Sequence, residues 1–71
     1  MKYLIVVEKG PRNYSAYVPD LPGCVATGKT REEVEKNIRE AVALHLRGLK
    51  EDHIPLQPPE AYAQYEEIAS P

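Results

Sequence analysis

The sequence contains one cysteine, Cys24, and neither tryptophan nor phenylalanine. A lone cysteine excludes an intrachain disulfide, and with only His45 and His53 beside it the chain has too few ligands for a structural zinc site. Its four glycines form no phosphate-cradling loop and no dinucleotide fingerprint, so neither a cofactor nor a metal is expected. Long apolar runs are missing too. The longest, Tyr3 to Val7, is too short to cross a bilayer, and its flanking Lys2 and Glu8 do not make it a signal peptide. A cytoplasmic protein without a membrane span is expected. Basic excess is also absent: nine Lys and Arg stand against eleven Asp and Glu, a net charge of -2. That balance argues against a general nucleic-acid binder working by phosphate neutralisation.

At 71 residues the chain has room for one domain, residues 1–71. A chain of this size buries only about 60% of its accessible surface, so its core is marginal without outside support. With disulfides and zinc excluded, that support falls to self-association or a partner. Charge is unevenly spread. Lys2, Lys9, Arg12 and Lys29 outnumber Glu8 and Asp20 in the first half, whereas acids dominate after residue 30. A solvated helix face accounts for most of that acidity, and a basic partner is the alternative.

What is present reads as alternating strands and turns. Lys2 to Glu8 is rich in β-branched and aromatic residues and predicts a strand, closed by the turn residues Gly10, Pro11 and Asn13. Tyr14 to Val18 predicts a second strand, stopped by Pro19. The rigid bend from Pro19 to Gly23 leads into a short third strand, Cys24 to Thr27, which ends at Gly28. Thr30 with Glu33 matches a capping box. Behind it Val34, Ile38, Ala41, Val42, Leu46 and Leu49 recur at helical spacing, with Glu32–Lys36 and Glu35–Arg39 as flanking ion pairs. Gly48 predicts fraying toward Asp52. After an extended connector at Ile54-Pro55 and Pro58-Pro59, Gln64 to Ala69 predicts a closing strand. The fold class is therefore α+β in the order β-β-β-α-β, an antiparallel sheet with one long helix on one face.

Catalytic chemistry finds little footing. His45 sits in the helical apolar stripe, where a half-buried structural role is favoured over proton transfer. Cys24 reads as a small apolar strand residue, and Asp20 alone makes no two-metal cluster and reads as a turn cap. Tyr3, Tyr14 and Tyr17 with Lys2, Lys9, Arg12 and Lys29 offer a stacking platform for single-stranded RNA, although at this net charge sheet packing or a protein interface is favoured. The first strand is apolar on both alternations: Tyr3, Ile5 and Val7 point one way, Leu4 and Val6 the other. One helix covers one face, so the surplus predicts association, with Tyr3, Ile5, Val7, Tyr14 and Tyr17 as interface candidates and a homo-oligomer, dimer or higher, as the expected form.

The string Tyr17-Val18-Pro19-Asp20-Leu21-Pro22-Gly23-Cys24, followed by Thr27, Gly28, Thr30, Glu32 and Glu33 and then by Ile38-Arg39-Glu40-Ala41, resembles the HicB antitoxin family over nearly the whole chain. The resemblance implies a partial RNase H-like or double-stranded-RNA-binding-like fold, with Asp20, Pro22, Gly23, Gly28, Thr30 and Glu33 setting turns and cap. It implies a non-enzymatic antitoxin that masks a small basic mRNA-cleaving toxin, HicA-like, by protein contact. The ribbon-helix-helix or helix-turn-helix segment many family members carry for operator DNA has no counterpart after Ile68, so direct DNA binding is not expected. An RNA-binding module and an orphan oligomer without a toxin are the alternatives, and a small hydrolase on His45 and Cys24 is a third.

Overall fold

The computed structural model describes residues 1–70. Three strands, β1 (Val6–Lys9), β2 (Tyr14–Tyr17) and β3 (Val25–Gly28), form an antiparallel meander in the order β1-β2-β3, and helix α1 (Arg31–Glu51) follows. This is the expected α+β plan through the helix.

The registers explain where each strand stops. Val6 pairs with Tyr17 and Tyr17 with Val25, and one residue later Val18 still donates to the Cys24 carbonyl at 3.2 Å, in register with the β2–β3 ladder. Residues 2–5, expected within the first strand, lie outside the β1–β2 pairing, which begins at Val6. Leu21 donates to Val18 and Cys24 to Leu21, both at 3.0 Å, so the Pro19–Gly23 bend is tied by its own backbone. Gly23 sits at φ 84, a left-handed conformation in which a side chain is strained.

The helix starts at Thr30, whose Oγ1 accepts from the Glu33 amide at 3.1 Å, one half of the expected capping box. Val34 and Ile38 are fully buried, and Ala16, Val18, Leu21 and Cys24 complete the core around them. Asn37 Nδ2 donates to the Thr27 carbonyl at 2.8 Å and ties α1 to β3. At Gly28 a Cβ would stand 2.5 Å from the Val34 amide nitrogen, so only glycine lets the helix come down this close. Glu35 pairs with Arg31 at 2.8 Å rather than with Arg39. Such exposed pairs differ by only a few tenths of a kcal/mol, too little for sequence order to decide between them. The end of α1 is helical through Glu51 instead of frayed from Gly48. Asp52 donates to Gly48, His53 to Lys50 and Ile54 to Leu49, with His53 at φ 56 as the left-handed turn-off residue.

The expected closing strand at Gln64 to Ala69 is not formed. Residues 54–70 carry no regular secondary structure, and Tyr65 and Ile68 are 98% and 83% exposed. The Asp20 carboxylate holds the middle of this segment, accepting from the amides of Glu60 at 3.1 Å and Ala61 at 3.1 Å, and residues 62–70 beyond it pair with no strand. The radius of gyration is 14.4 Å, against about 11 Å for a compact chain of this length.

Candidate protein-interaction surface

Period-two alternation sorts the sheet's side chains onto two faces. Val7, Ala16 and Ala26 are cross-strand neighbours on the helix side, while Val6, Tyr17 and Val25 are neighbours on the outer side, which no strand or helix among the described residues covers. Tyr17 is 42% and Val25 64% exposed there. Leu4, two residues before Val6, falls on the same alternation. Toward the other end of the same face the neighbours are Glu8, Ser15 and Thr27. The outer face is thus apolar where β2 leads into the Asp20 bend and polar near the first hairpin.

The helix is not centred on the sheet. It packs chiefly on β3 and next on β2, leaving β1 largely uncovered. Val7, although it faces the helix side, stays partly exposed, and a shallow groove of about 300 Å³ opens between β1 and α1. Ile5, Val7 and Ile38 line it together with Arg31, Glu35 and Arg39, and it continues past Val7 toward Lys9 and Tyr14. The charged lining is mostly basic, with Glu35 engaged by Arg31.

The five interface candidates read from the sequence are therefore divided. Tyr17 is on the open outer face, Ile5 and Val7 line the groove, and Tyr3 and Tyr14 pack against the core. Val25 and the outer-face position of Val6 were not singled out. The signal for Val25 was its β-branched character, but only the register places it beside Tyr17. Tyr14 and Tyr17 lie on opposite faces, so the tyrosines make no continuous stacking platform. Arg12 and Lys29 meet instead in a separate hollow with Pro11 and Asn13 at the hairpin end.

The motif residues occupy turns and caps: Pro22 and Gly23 in the bend, Gly28 under the helix, Thr30 and Glu33 at its start. Asp20 lies in the bend but does not cap its own turn as expected: its carboxylate instead accepts from backbone amides forty residues on, at Glu60 and Ala61. Cys24 is buried, and burial pushes its thiol above the ordinary range, away from the reactive thiolate. Among the described residues no three His, Cys, Asp or Glu side chains are grouped to hold a metal, and no helix is long and apolar enough to cross a membrane.

Comparison with known proteins gives this geometry a context. The family described as the HicB-like antitoxin of bacterial toxin–antitoxin systems matches residues 3–70. A UPF0150 protein of Helicobacter pylori is 47% identical over 49 residues, covering 69% of this chain and 68% of that protein. A 14.9 kDa protein from the rep–hol intergenic region of Haemophilus phage HP1 is 38% identical over 65 residues, spanning 92% of this chain but only 49% of its own length. Among solved structures, a chain of a HicA3 and HicB3 toxin–antitoxin complex superimposes with a TM-score of 0.64 at 32% identity, over 82% of this chain and 72% of that one.

Proposed function

The chain belongs to the HicB-like antitoxin family, and we propose that it masks a HicA-like toxin by protein contact through the apolar end of its outer sheet face. The supporting observation is the exposed pair Tyr17 and Val25 with half-buried Val6 beside Tyr17, backed by a fold shared with a chain of a toxin–antitoxin complex. Apolar residues clustered on an uncovered sheet face, with polar Glu8, Ser15 and Thr27 beyond them, have the layout of an interface centre and rim. The toxin of this reading is the small basic mRNA-cleaving protein that the family resemblance implies. The antitoxin's net charge of -2 favours encounter with a basic partner. Masking is by occlusion and requires no catalysis. The chain acts in the cytoplasm, self-associated, with Ile5 and Val7 in the self-contact.

Co-expression with a HicA-like toxin tests this. The wild-type chain restores growth and co-purifies with the toxin. Tyr17→Asp with Val25→Asp, on exposed positions that leave the core intact, weakens binding by at least about tenfold and abolishes rescue. Rescue unaffected by both substitutions would remove the outer face from the reading.

A further inference from the structure

We propose that residues 62–69 form an exchange arm, which adds as a strand to the open β1 edge of a second copy of this chain and lays Ile68 into that copy's β1–α1 groove. The inference rests on the self-association reading above and supplies its geometry; it is independent of toxin masking.

Three observations carry it. The first is area. The chain exposes 6126 Å², whereas a compact protein of 8.0 kDa exposes roughly 4,450 Å². The excess of roughly 1,700 Å² exceeds the approximately 800 Å² per partner of a standard stable interface. Much of it lies on the arm, where Tyr62, Tyr65 and Ile68 are 80%, 98% and 83% exposed.

The second is the acceptor. β1 has a neighbour on one side only, so the amides and carbonyls of its other edge lack ladder partners. The displacement of α1 toward β3 leaves the groove beside that edge open, floored by Ile5, Val7 and Ile38. An added strand extends the sheet at this edge, and its side chains alternate between the groove and the outer face.

The third is charge and register. From Ile54 to Ser70 there is no Lys or Arg, while Glu60, Glu66 and Glu67 are acidic. The groove presents Arg39 beside the Arg31–Glu35 pair, with Lys9 beyond. In an extended arm Glu66 and Ile68 share a face, so with Ile68 on the groove floor Glu66 is directed to the arginine rim. Tyr65 then falls on the opposite face, toward Leu4, away from the exposed Tyr17 and Val25.

Asp20 explains why the occupant is a second copy. It clamps the arm at Glu60 and Ala61 and the rest of the arm leaves its own body, giving extents of 51 × 27 × 16 Å. Two arms and two grooves exchange reciprocally around a two-fold axis, so the assembly closes as a dimer.

The test uses the full chain without toxin. Sedimentation equilibrium reports a dimer for the wild type, and Ile68→Asp with Tyr65→Asp raises the dimer dissociation constant by about a hundredfold while circular dichroism and thermal unfolding of the core persist. Glu66→Arg weakens the dimer and Arg39→Glu in the same chain restores it. Differently tagged chains, one carrying Val7→Cys and the other Ile68→Cys, are joined between copies by a short thiol cross-linker; Cys24 is buried and does not compete. A dimer indifferent to the arm substitutions, or one in which the two tagged chains are not cross-linked, overturns the exchange and leaves self-association standing. A monomer at every concentration overturns both, and toxin rescue remains a separate readout.

Discussion

The Asp20 carboxylate accepts the Ala61 backbone amide, 3.1 Å from Oδ2 and 3.3 Å from Oδ1, while Oδ1 also takes the Glu60 amide. One side chain in the β2–β3 bend thus fixes the departure point of a segment that carries no regular secondary structure.

Replacing that clamp has a local signature. Hydrogen bonds to an ionised acceptor contribute about 1.5–3 kcal/mol when sheltered, and partial exposure reduces this. Asp20→Ala is expected to cost about 1–2 kcal/mol in denaturant unfolding and to accelerate amide exchange at Glu60 and Ala61, with Val34 and Ile38 unchanged. Unchanged exchange at residues 60 and 61 would show that the clamp is not populated in solution.

Gly28 and Gly48 are expected to respond to alanine with opposite signs. A Cβ on Gly28 meets backbone atoms of Val34 at 2.5 and 2.9 Å, so the helix must lift from β3, costing about 2–4 kcal/mol. At Gly48, inside α1, a Cβ meets nothing within 4 Å, and Gly48→Ala stabilises by about 0.5–1 kcal/mol. Urea midpoints of the two variants check both signs.

Cys24 gives a pH dependence. Desolvation by burial raises its folded pKa above the unfolded value, so the folded state holds the thiol proton more tightly. Its contribution to stability is full below the unfolded thiol pKa and is lost as pH rises through the folded one. Native chain at pH 7–8 is expected to react with a thiol reagent at least about tenfold more slowly than unfolded chain, since the reactive thiolate is both buried and scarce. Equal rates would contradict the packing described.

Much of the fold was legible because it rests on local chemistry. Proline and glycine punctuate the bends, and Thr30 opens the helix beneath an apolar stripe of 3.6-residue period. Strand edges were less legible, since β1 begins only where β2 has a residue to pair with it. The same reasoning failed at residues 64–69. Their composition suits a strand, but a strand needs an edge, and composition cannot say whether one lies alongside.

The candidate site was half legible. Two apolar alternations in the first strand imply that one helix cannot hide both faces, which follows from period-two alternation alone. Which residues stay in the open depended on α1 settling over β3, where glycine at position 28 allows close approach. By itself the sequence determined the three strands, the helix, their order and the surplus of apolar surface, because torsional preference and periodicity are properties of neighbouring residues. Only the tertiary structure decided that Tyr17 joins Val25, that Val7 lines a basic groove and that Asp20 grips the chain near residue 60. Those relations join residues distant in the chain, and they follow from register and helix position, which no local preference encodes.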